Sequence, residues 1–215
     1  MVLHPGHGSH LRRRGEMTRF LRSRHGFTMI EILVVMGIIA VLAAVMTPAV
    51  VKHIQDSKVT RAEHDVEMLA GAMTAFYKDT GRWPTDNDKN KGPGDQEVEI
   101  LTTSAGQFPA EENGKVGWSK LKRGDTFENQ LILNQPGGKA KNAYPINGEN
   151  AWDGPYQNSF KPDPWGNQFL SNVKGFHPGQ NTPVWVISAG PDGTLQTYTS
   201  DTSTRGDDIG YMITR

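Results

Sequence analysis

The strongest pattern in the chain is an unbroken apolar run from Ile32 to Val51, which is 20 residues long and contains no charged side chain. A helix rises about 1.5 Å per residue, so a run of this length spans the roughly 30 Å hydrocarbon core of a bilayer. One carboxylate, Glu31, stands directly before the run. The pattern predicts a transmembrane helix with an acidic residue at its start.

Beyond this run the pattern becomes amphipathic. Apolar residues recur every three or four positions, at Val59, Ala62, Val66, Leu69, Met73 and Phe76. This spacing places them on one face of an α-helix, and charged residues occupy the other face. The pattern ends at Thr80, where Gly and then Pro follow, as is typical of a helix C-terminus. We predict one helix from Phe27 to about Thr80, transmembrane over residues 27–51 and amphipathic over residues 52–81.

The remaining residues, 82–215, are predicted to form a globular domain in two parts. Residues 85–150 have weak patterning and are interpreted as an insertion. Within it, Ile100-Leu101 is interpreted as a helical turn and residues 131–133 as a strand. Residues 152–215 regain the β-branched and aromatic runs that are typical of strands. The predicted strands there are 168–173, 184–188, 194–199 and 209–214, with a hairpin turn at 165–167.

Charge and composition narrow the classes of protein. Residues 1–26 contain six Arg against one acidic residue, and the rest of the chain is acidic overall. The positive-inside rule therefore predicts a cytoplasmic N-terminus and an exported C-terminal part, and the acidic domain disfavours nucleic-acid binding. There is no Cys, which excludes disulfides and thiol catalysis. The three His after residue 26 lack metal-ligand spacing, and no nucleophile motif appears, so an enzyme is not expected.

The junction before the apolar run predicts processing. A secretory signal peptide is cleaved after its apolar core, whereas the small residue Gly26 lies before the run. Cleavage at Gly26 would keep the apolar helix in the mature protein and remove residues 1–26 as a leader. A second start at Met17 would leave a ten-residue leader. An uncleaved signal anchor is the alternative.

Two sets of motifs resemble a known family. The junction is Gly26-Phe27-Thr28-Met29-Ile30-Glu31. The C-terminal half contains Gly-Pro-Tyr at 154–156, Asp-Pro-Trp-Gly-Asn at 163–167, Ser-Ala-Gly-Pro-Asp-Gly at 188–193 and Asp-Asp-Ile-Gly at 207–210. Together they resemble the type IV pilins and type II secretion pseudopilins, most of all the major pseudopilin. The resemblance implies an α+β, type IV pilin-like fold, with a long N-terminal helix packed on a small C-terminal antiparallel β-sheet that carries a calcium-type loop.

The resemblance also implies how the N-terminus is used. A prepilin peptidase would cut between Gly26 and Phe27, and the new Phe27 amine would be methylated. A buried carboxylate needs a partner, and in a filament that partner for Glu31 can be the Phe27 amine of a neighbouring subunit. The alternative is that Glu31 is solvated at the headgroup level. Pro48, at a position where the family also has a proline, lacks a backbone N–H and predicts a kink or local unwinding.

A calcium site is expected in the C-terminal loop, on the strength of the resemblance. Its candidate ligands are the carboxylates of Asp192, Asp207 and Asp208, with the carbonyl oxygens of Ile187 and Ser188 as further candidates and Asp201 as a weaker one. Calcium prefers six to eight oxygen ligands of these kinds. From spacing alone, a plain β-turn and a solvated pair of carboxylates is the alternative.

These observations favour a structural subunit of the periplasmic pseudopilus of a type II secretion system. Such a subunit would sit in the bacterial inner membrane as a single-pass precursor and polymerise through its helix. The expected partners are its own copies, minor pseudopilins, the prepilin peptidase, the inner-membrane assembly platform and lipid. The alternatives are a surface type IV pilin and, from another class, a membrane-anchored periplasmic enzyme or binding module.

Overall fold

A computed structural model describes residues 26–86 and 97–213. The first helix, α1, covers Met29–Thr80. The chain divides into two compact units, Met1–Pro48 and Ala49–Arg215, which are described one at a time. Of the predicted leader, residues 1–26, only Gly26 lies within the described residues.

In the first unit every described residue is exposed to solvent. By length and composition α1 qualifies as a helix that could cross a membrane. Helical structure continues through Pro48, so of the two predicted outcomes the local unwinding is wrong and the kink stays a prediction. Proline removes one backbone hydrogen bond, and the hydroxyl of the preceding Thr47 donates to the Ala43 carbonyl oxygen over 2.7 Å. A back-bond of this kind slightly weakens and often bends a helix, so it does not replace the bond that Pro48 removes.

In the second unit α1 buries the predicted apolar face. Ala62, Val66, Leu69, Met73 and Phe76 are all at most 2% exposed. The stripe starts later than predicted, because Val59 is only partly buried. This segment of helix therefore covers one side of the core of the globular domain.

The core beside α1 is closed by aromatic rings from the C-terminal half of the chain. The Phe76 ring meets the rings of Tyr144 and Tyr156 edge to face, at centroid distances of 4.9 and 5.6 Å. Such edge-to-face pairs add a favourable electrostatic term to the burial of apolar area. They fix the last turns of the helix against the segment that contains Tyr144 and Tyr156.

The sheet of the globular domain is mixed rather than purely antiparallel. The strands are β1 Ile100–Thr102, β2 Ala110–Glu111, β3 Gly124–Thr126, β4 Leu170–Ser171, β5 Val184–Ser188, β6 Thr194–Leu195 and β7 Ile209–Ile213. The strand order of the sheet is β3-β1-β4-β5-β7, and β2 and β6 form a separate pair. The C-terminal strands β4, β5 and β7 pair antiparallel, as expected. The pairs β1-β3 and β2-β6 are parallel, which corrects the prediction.

Several predicted strand bounds were too long. The run 168–173 forms only β4, because residues 173–176 turn into a 3-10 helix, and the run 194–199 forms only β6. Strand 184–188 is correct as predicted, and β7 ends at Ile213, the last described residue. The turn at 165–167 exists, but β4 pairs with β1 and β5, so the turn does not close a hairpin.

In the insertion, the segment predicted to be a helical turn forms a strand, and the segment predicted to be a strand begins at the end of a helix. Ile100-Leu101 belongs to β1, which pairs with both β3 and β4, and not to a helical turn. Leu131 ends a short helix, α2 (Phe127–Leu131), and is not in a strand. The hydroxyl of Thr126 caps α2 by accepting from the Asn129 N–H, which explains why a helix begins there.

Candidate functional site

The start of α1 is held by a reciprocal pair of hydrogen bonds between Thr28 and Glu31. The Glu31 backbone N–H donates to the Thr28 hydroxyl oxygen over 3.3 Å, and the Thr28 N–H donates to a Glu31 carboxylate oxygen over 3.4 Å. This is a capping box, in which two N–H groups without helical partners are satisfied by side chains. Sequence analysis named Thr28 only as part of the junction motif and gave it no capping role, although a Thr three residues before a Glu is a readable signal.

Three residues are expected to act in assembly, Phe27, Glu31 and Pro48, and the first two differ in their local bonding. Phe27 is 78% exposed. Glu31 is exposed as well, and its carboxylate uses one oxygen for the cap. The negative charge also lies at the positive end of the helix dipole. A carboxylate placed this way is oriented by its own helix and still offers an oxygen to a cation.

The Asp163 side chain organises the Asp-Pro-Trp-Gly-Asn motif. Asp163 is 3% exposed. One carboxylate oxygen accepts from the N–H groups of Trp165 and Asn167, at 3.0 and 2.7 Å. The other accepts from the Ser188 hydroxyl over 2.7 Å. The motif is therefore a clamp between this turn and the end of β5, a role that sequence analysis did not assign to Asp163.

The loop expected to bind calcium connects β5 to β7 and includes β6. Within this loop the structure brings Asp192 and Asp207 together. The Asp192 N–H donates to an Asp207 carboxylate oxygen over 3.0 Å. Gly190 makes this approach possible, since a Cβ there would clash with the Asp207 carbonyl oxygen. The Asp192 carboxylate accepts from the Thr194 N–H and from the side-chain amide of Gln196, each over 2.7 Å.

Asp208 is the most buried acidic residue of this loop. It is 6% exposed, and one carboxylate oxygen accepts from the N–H groups of Gln196 and Thr197, at 2.9 and 2.6 Å. Its other oxygen, Oδ1, is buried and faces no donor in the described part of the chain. Burial raises the pKa of the Asp208 carboxyl group, although the bonds from Thr197 and Gln196 oppose that effect and neighbouring Asp207 reinforces it. A buried oxygen of this kind is a suitable cation ligand.

The other candidate ligands differ in whether they could reach a cation in this loop. Ile187 and Ser188 end β5 and pair with Gly210 and Ile209, directly after Asp208, so they lie beside the loop. Asp201 instead binds the Arg205 guanidinium with both carboxylate oxygens, at 2.6 and 2.9 Å. Burial raises the pKa of Asp201, but the bond from Arg205 outweighs it and lowers the pKa below its ordinary value. An Asp engaged in this way is a poor calcium ligand.

Within residues 26–86 and 97–213, no group of three or more His, Cys, Asp or Glu side chains lies close enough together to hold a metal ion. A cation in this loop would therefore need neutral oxygens beside the carboxylates. One such oxygen is Gln196 Oε1, which is buried and, among the described residues, meets no donor. Sequence analysis missed Gln196, because nothing in its local sequence marks it.

The insertion supports this loop from the other side. Strand β2 pairs with β6, which lies between Asp192 and Gln196. The Thr199 N–H donates to the Val116 carbonyl oxygen over 3.2 Å. Trp118, which is fully buried, donates its indole N–H to the Thr197 carbonyl oxygen over 2.9 Å. The loop is thus held between the insertion and the main sheet.

Known proteins match this chain both at the start of α1 and in the C-terminal part of the globular domain. Residues 21–47 match the family model for the prokaryotic N-terminal methylation motif, and residues 139–205 match that for type II secretion system protein G. A type II secretion system core protein G of Pseudomonas aeruginosa is 31% identical over 119 residues, which are 55% of this chain and 78% of that protein. The chain belongs to the type II secretion system protein G family.

Other relatives define how far the similarity extends. The core protein G of Klebsiella pneumoniae is 24% identical over 190 residues, or 88% of this chain and 95% of that protein. A fimbrial protein of Eikenella corrodens is 39% identical over 62 residues, but these cover only 29% of this chain and 40% of that protein. No solved structure gives a significant match to the chain. In this protein G family member, strands β1 to β3 and α2 lie between the residues matched by the two family models.

Proposed function

We propose that this chain is a major pseudopilin, which polymerises through its N-terminal helix into a periplasmic pseudopilus and drives the export of folded proteins across the outer membrane. The observation that carries the proposal is the exposed apolar segment of α1 with Glu31 capping its start. In lipid, helices associate by close packing and by satisfying polar groups, and small residues such as Gly37 and Ala40 allow close approach.

The proposed assembly step uses charge pairing. Cleavage between Gly26 and Phe27 creates a new ammonium group, which a prepilin peptidase would then methylate. That ammonium group on an incoming subunit pairs with the Glu31 carboxylate of a neighbour, which sets the axial position of each helix. A carboxylate at membrane depth is costly unless it is paired, so this contact favours the polymer over the free subunit.

The proposed location and partners follow from this step. The basic leader stays in the cytoplasm, the helix spans the inner membrane once, and the globular domain lies in the periplasm. The partners are further copies of the chain, minor pseudopilins, the prepilin peptidase, the inner-membrane assembly platform and membrane lipid before assembly. No catalytic role and no nucleic-acid partner are proposed.

To test the proposal, the Glu31→Ala variant is expressed with the rest of its secretion system and filament formation is measured. Glu63→Ala is the matched control, because Glu63 is an exposed carboxylate on the second-unit part of the same helix. We expect sheared filaments, detected by electron microscopy and immunoblotting, from the wild type and from Glu63→Ala but not from Glu31→Ala. Normal filaments from Glu31→Ala would count against the charge-pairing step.

A type IV pilin is the second candidate, because relatives named as type IV major pilin proteins match this chain over 62 residues and the chain itself carries the N-terminal methylation motif. The protein G match over residues 139–205 favours the pseudopilin. The discriminating experiment is secretion of a folded substrate by a strain that lacks this chain. Loss of secretion with intact surface pili supports the pseudopilin, and the reverse outcome supports the pilin.

We also propose that the C-terminal loop binds one calcium ion. The residues that would hold it are Asp192, Asp207 and Asp208, with carbonyl oxygens of Ile187 and Ser188 near them. The chemistry of this set fits calcium, because all donors are oxygens and the buried Asp208 Oδ1 faces no donor among the described residues. A bound calcium ion supplies the positive charge that offsets repulsion between the adjacent carboxylates.

The thermal unfolding midpoint of the detergent-solubilised full chain tests the calcium proposal. Calcium should raise the midpoint over that in chelator, since a ligand that binds only the folded state stabilises it. Asp208→Asn should remove most of this rise, and Asp153→Asn, at an exposed site, should keep it. The same midpoint in calcium and in chelator for the wild type would refute the site.

A further inference from the structure

Gln196 contacts two of the three carboxylates in the loop. Its backbone N–H donates to Asp208 over 2.9 Å, and its side-chain Nε2 donates to Asp192 over 2.7 Å. Asp192 lies at the exposed end of the loop and Asp208 at its buried end. Gln196 is therefore a residue that links the two ends of the loop.

The other atom of the same amide group is a buried oxygen. Gln196 Oε1 has no hydrogen-bond donor within residues 26–86 and 97–213. It lies against Gly206, where a Cβ would come within 2.8 Å of this oxygen. Gly206, which directly precedes Asp207 in the sequence, thus leaves space for the side-chain amide of Gln196. A buried amide oxygen without a donor is unfavourable, because no hydrogen bond replaces the hydration that it has lost.

Asp208 and Gln196 therefore each place in this loop a buried oxygen that meets no donor from the part of the chain that the structure describes. Among the described residues, the carboxylates alone do not form a group of three that could hold a metal ion. Calcium commonly completes its shell with amide oxygens of Asn and Gln. A neutral amide oxygen also adds a ligand without adding a negative charge to a loop that already holds three.

We propose that Gln196 is a ligand of the calcium ion and also holds the loop in place when calcium is absent. The inference rests on the proposed calcium site. Without the ion, Nε2 donates to Asp192 and offsets part of the carboxylate repulsion. With the ion, the side-chain amide rotates so that Oε1 faces the cation. Replacing Nε2 by Oε1 at the same position needs only rotation of the Gln196 side-chain amide.

Two substitutions separate the two roles. Gln196→Met keeps the length of the side chain but removes both polar atoms. Gln196→Glu keeps an oxygen and removes the N–H. Gln180→Met is the matched control, because Gln180 is exposed and lies outside the loop. For each full-length protein in detergent, the calcium dissociation constant is measured by calorimetry and the unfolding midpoint is measured in calcium and in chelator.

We expect both Gln196 variants to have a lower midpoint than the wild type in chelator, because both lose the bond to Asp192. Their calcium affinities should differ. Gln196→Met should bind calcium about tenfold more weakly, similar to the loss of a group that supports a metal site. Gln196→Glu should bind at least as tightly as the wild type, and Gln180→Met should be unchanged.

The outcomes distinguish the inference from the site on which it rests. A wild type that does not bind calcium overturns both. A wild type that binds calcium, with both variants binding equally well, overturns the ligand role of Gln196 and leaves the site. If Gln196→Met does not fold, weaker calcium binding by Gln196→Glu overturns the ligand role in the same way.

Discussion

The indole N–H of Trp118 donates to the carbonyl oxygen of Thr197 over 2.9 Å and so joins two residues that are 79 positions apart. Both residues are fully buried. The N–H of the same Thr197 donates to Asp208. A residue of the insertion therefore reaches the proposed calcium site through one intervening residue.

Trp118→Phe removes this hydrogen bond and keeps most of the ring. We expect the free energy of unfolding to fall by about 1 to 3 kcal/mol, because the Thr197 carbonyl oxygen loses its donor inside the core. Trp165→Phe is the control, since the buried indole N–H of Trp165, unlike its backbone N–H, has no acceptor among the described residues. Denaturant unfolding should give the larger loss for Trp118→Phe. Equal losses would contradict a specific role for the bond.

Thr28→Val removes the hydroxyl of the capping box at nearly constant volume. We expect the first turn of α1 to fray, with a loss of about 1 kcal/mol in helix stability, while Thr28→Ser keeps the cap. Hydrogen exchange of the N-terminal peptide in detergent measures this directly. Equal protection in both variants would mean that Glu31 needs no help from Thr28.

Gly26→Ala places a Cβ at the predicted cleavage junction. We expect the leader to be retained, because the peptidase must accept the residue before the cut in a confined site. Intact mass spectrometry of the purified protein distinguishes the precursor from the mature chain that begins at Phe27. Gly37→Ala, at an exposed helix position, should be processed normally. Normal processing of Gly26→Ala would move the cleavage site elsewhere.

Asp163→Asn weakens the clamp between the 163–167 turn and β5. The carboxylate accepts three hydrogen bonds, and an amide has only one oxygen with which to accept them. We expect a loss of about 2 to 3 kcal/mol in the free energy of unfolding. Asp153→Asn, on the surface, should cost little. Thermal and denaturant unfolding of the two variants check this difference.

Glu99 should make stability depend on pH. It accepts from the Lys122 N–H at 2.8 Å and lies 3.2 Å from Arg123 and 3.4 Å from Lys174. Burial raises the pKa of Glu99, but these bonds and charges outweigh it and hold the pKa below its ordinary value of 4.5. A lowered carboxyl pKa gives stability that is present above about pH 4.5 and is lost as the pH falls through the folded-state value.

Comparison of the wild type with Glu99→Gln from neutral pH to about pH 3 tests this dependence. The wild type should be the more stable protein at neutral pH, and the difference should shrink below about pH 4.5. Glu149→Gln, at an exposed site, supplies the background pH dependence. A difference that does not change with pH would exclude a contribution from the charge of Glu99.

Helix α1 was predictable from the sequence because its signal is local and long. The stripe from Ala62 to Phe76 repeats over several turns, and the uncharged run before it is far longer than a buried strand requires. Strand β5 was predictable for a similar reason, since all five of its residues are buried and most are β-branched or aromatic. Glu31 was recognisable because one carboxylate beside an uncharged run stands out.

The insertion and the ligand environment were not predictable, because they depend on contacts distant in sequence. Strand β1 has three residues, too few for a period, and exists because β3 and β4 flank it. The short apolar run at Leu131 is compatible with either a strand or a helix. The cap by Thr126 favours the helix. The role of Gln196 depends on Asp208, which the sequence places in a separate turn.

The strand order β3-β1-β4-β5-β7 also has a consequence for the timing of folding. The central strand β4 and its neighbour β5 come from the last part of the chain, so β1 has only β3 to pair with until residues 170–188 have emerged. Long-range pairing of this kind is slow, since loop closure must precede the contacts that reward it. In the proposed topology we therefore expect the globular domain to fold only after its translocation is nearly complete, while its helix is already in the membrane.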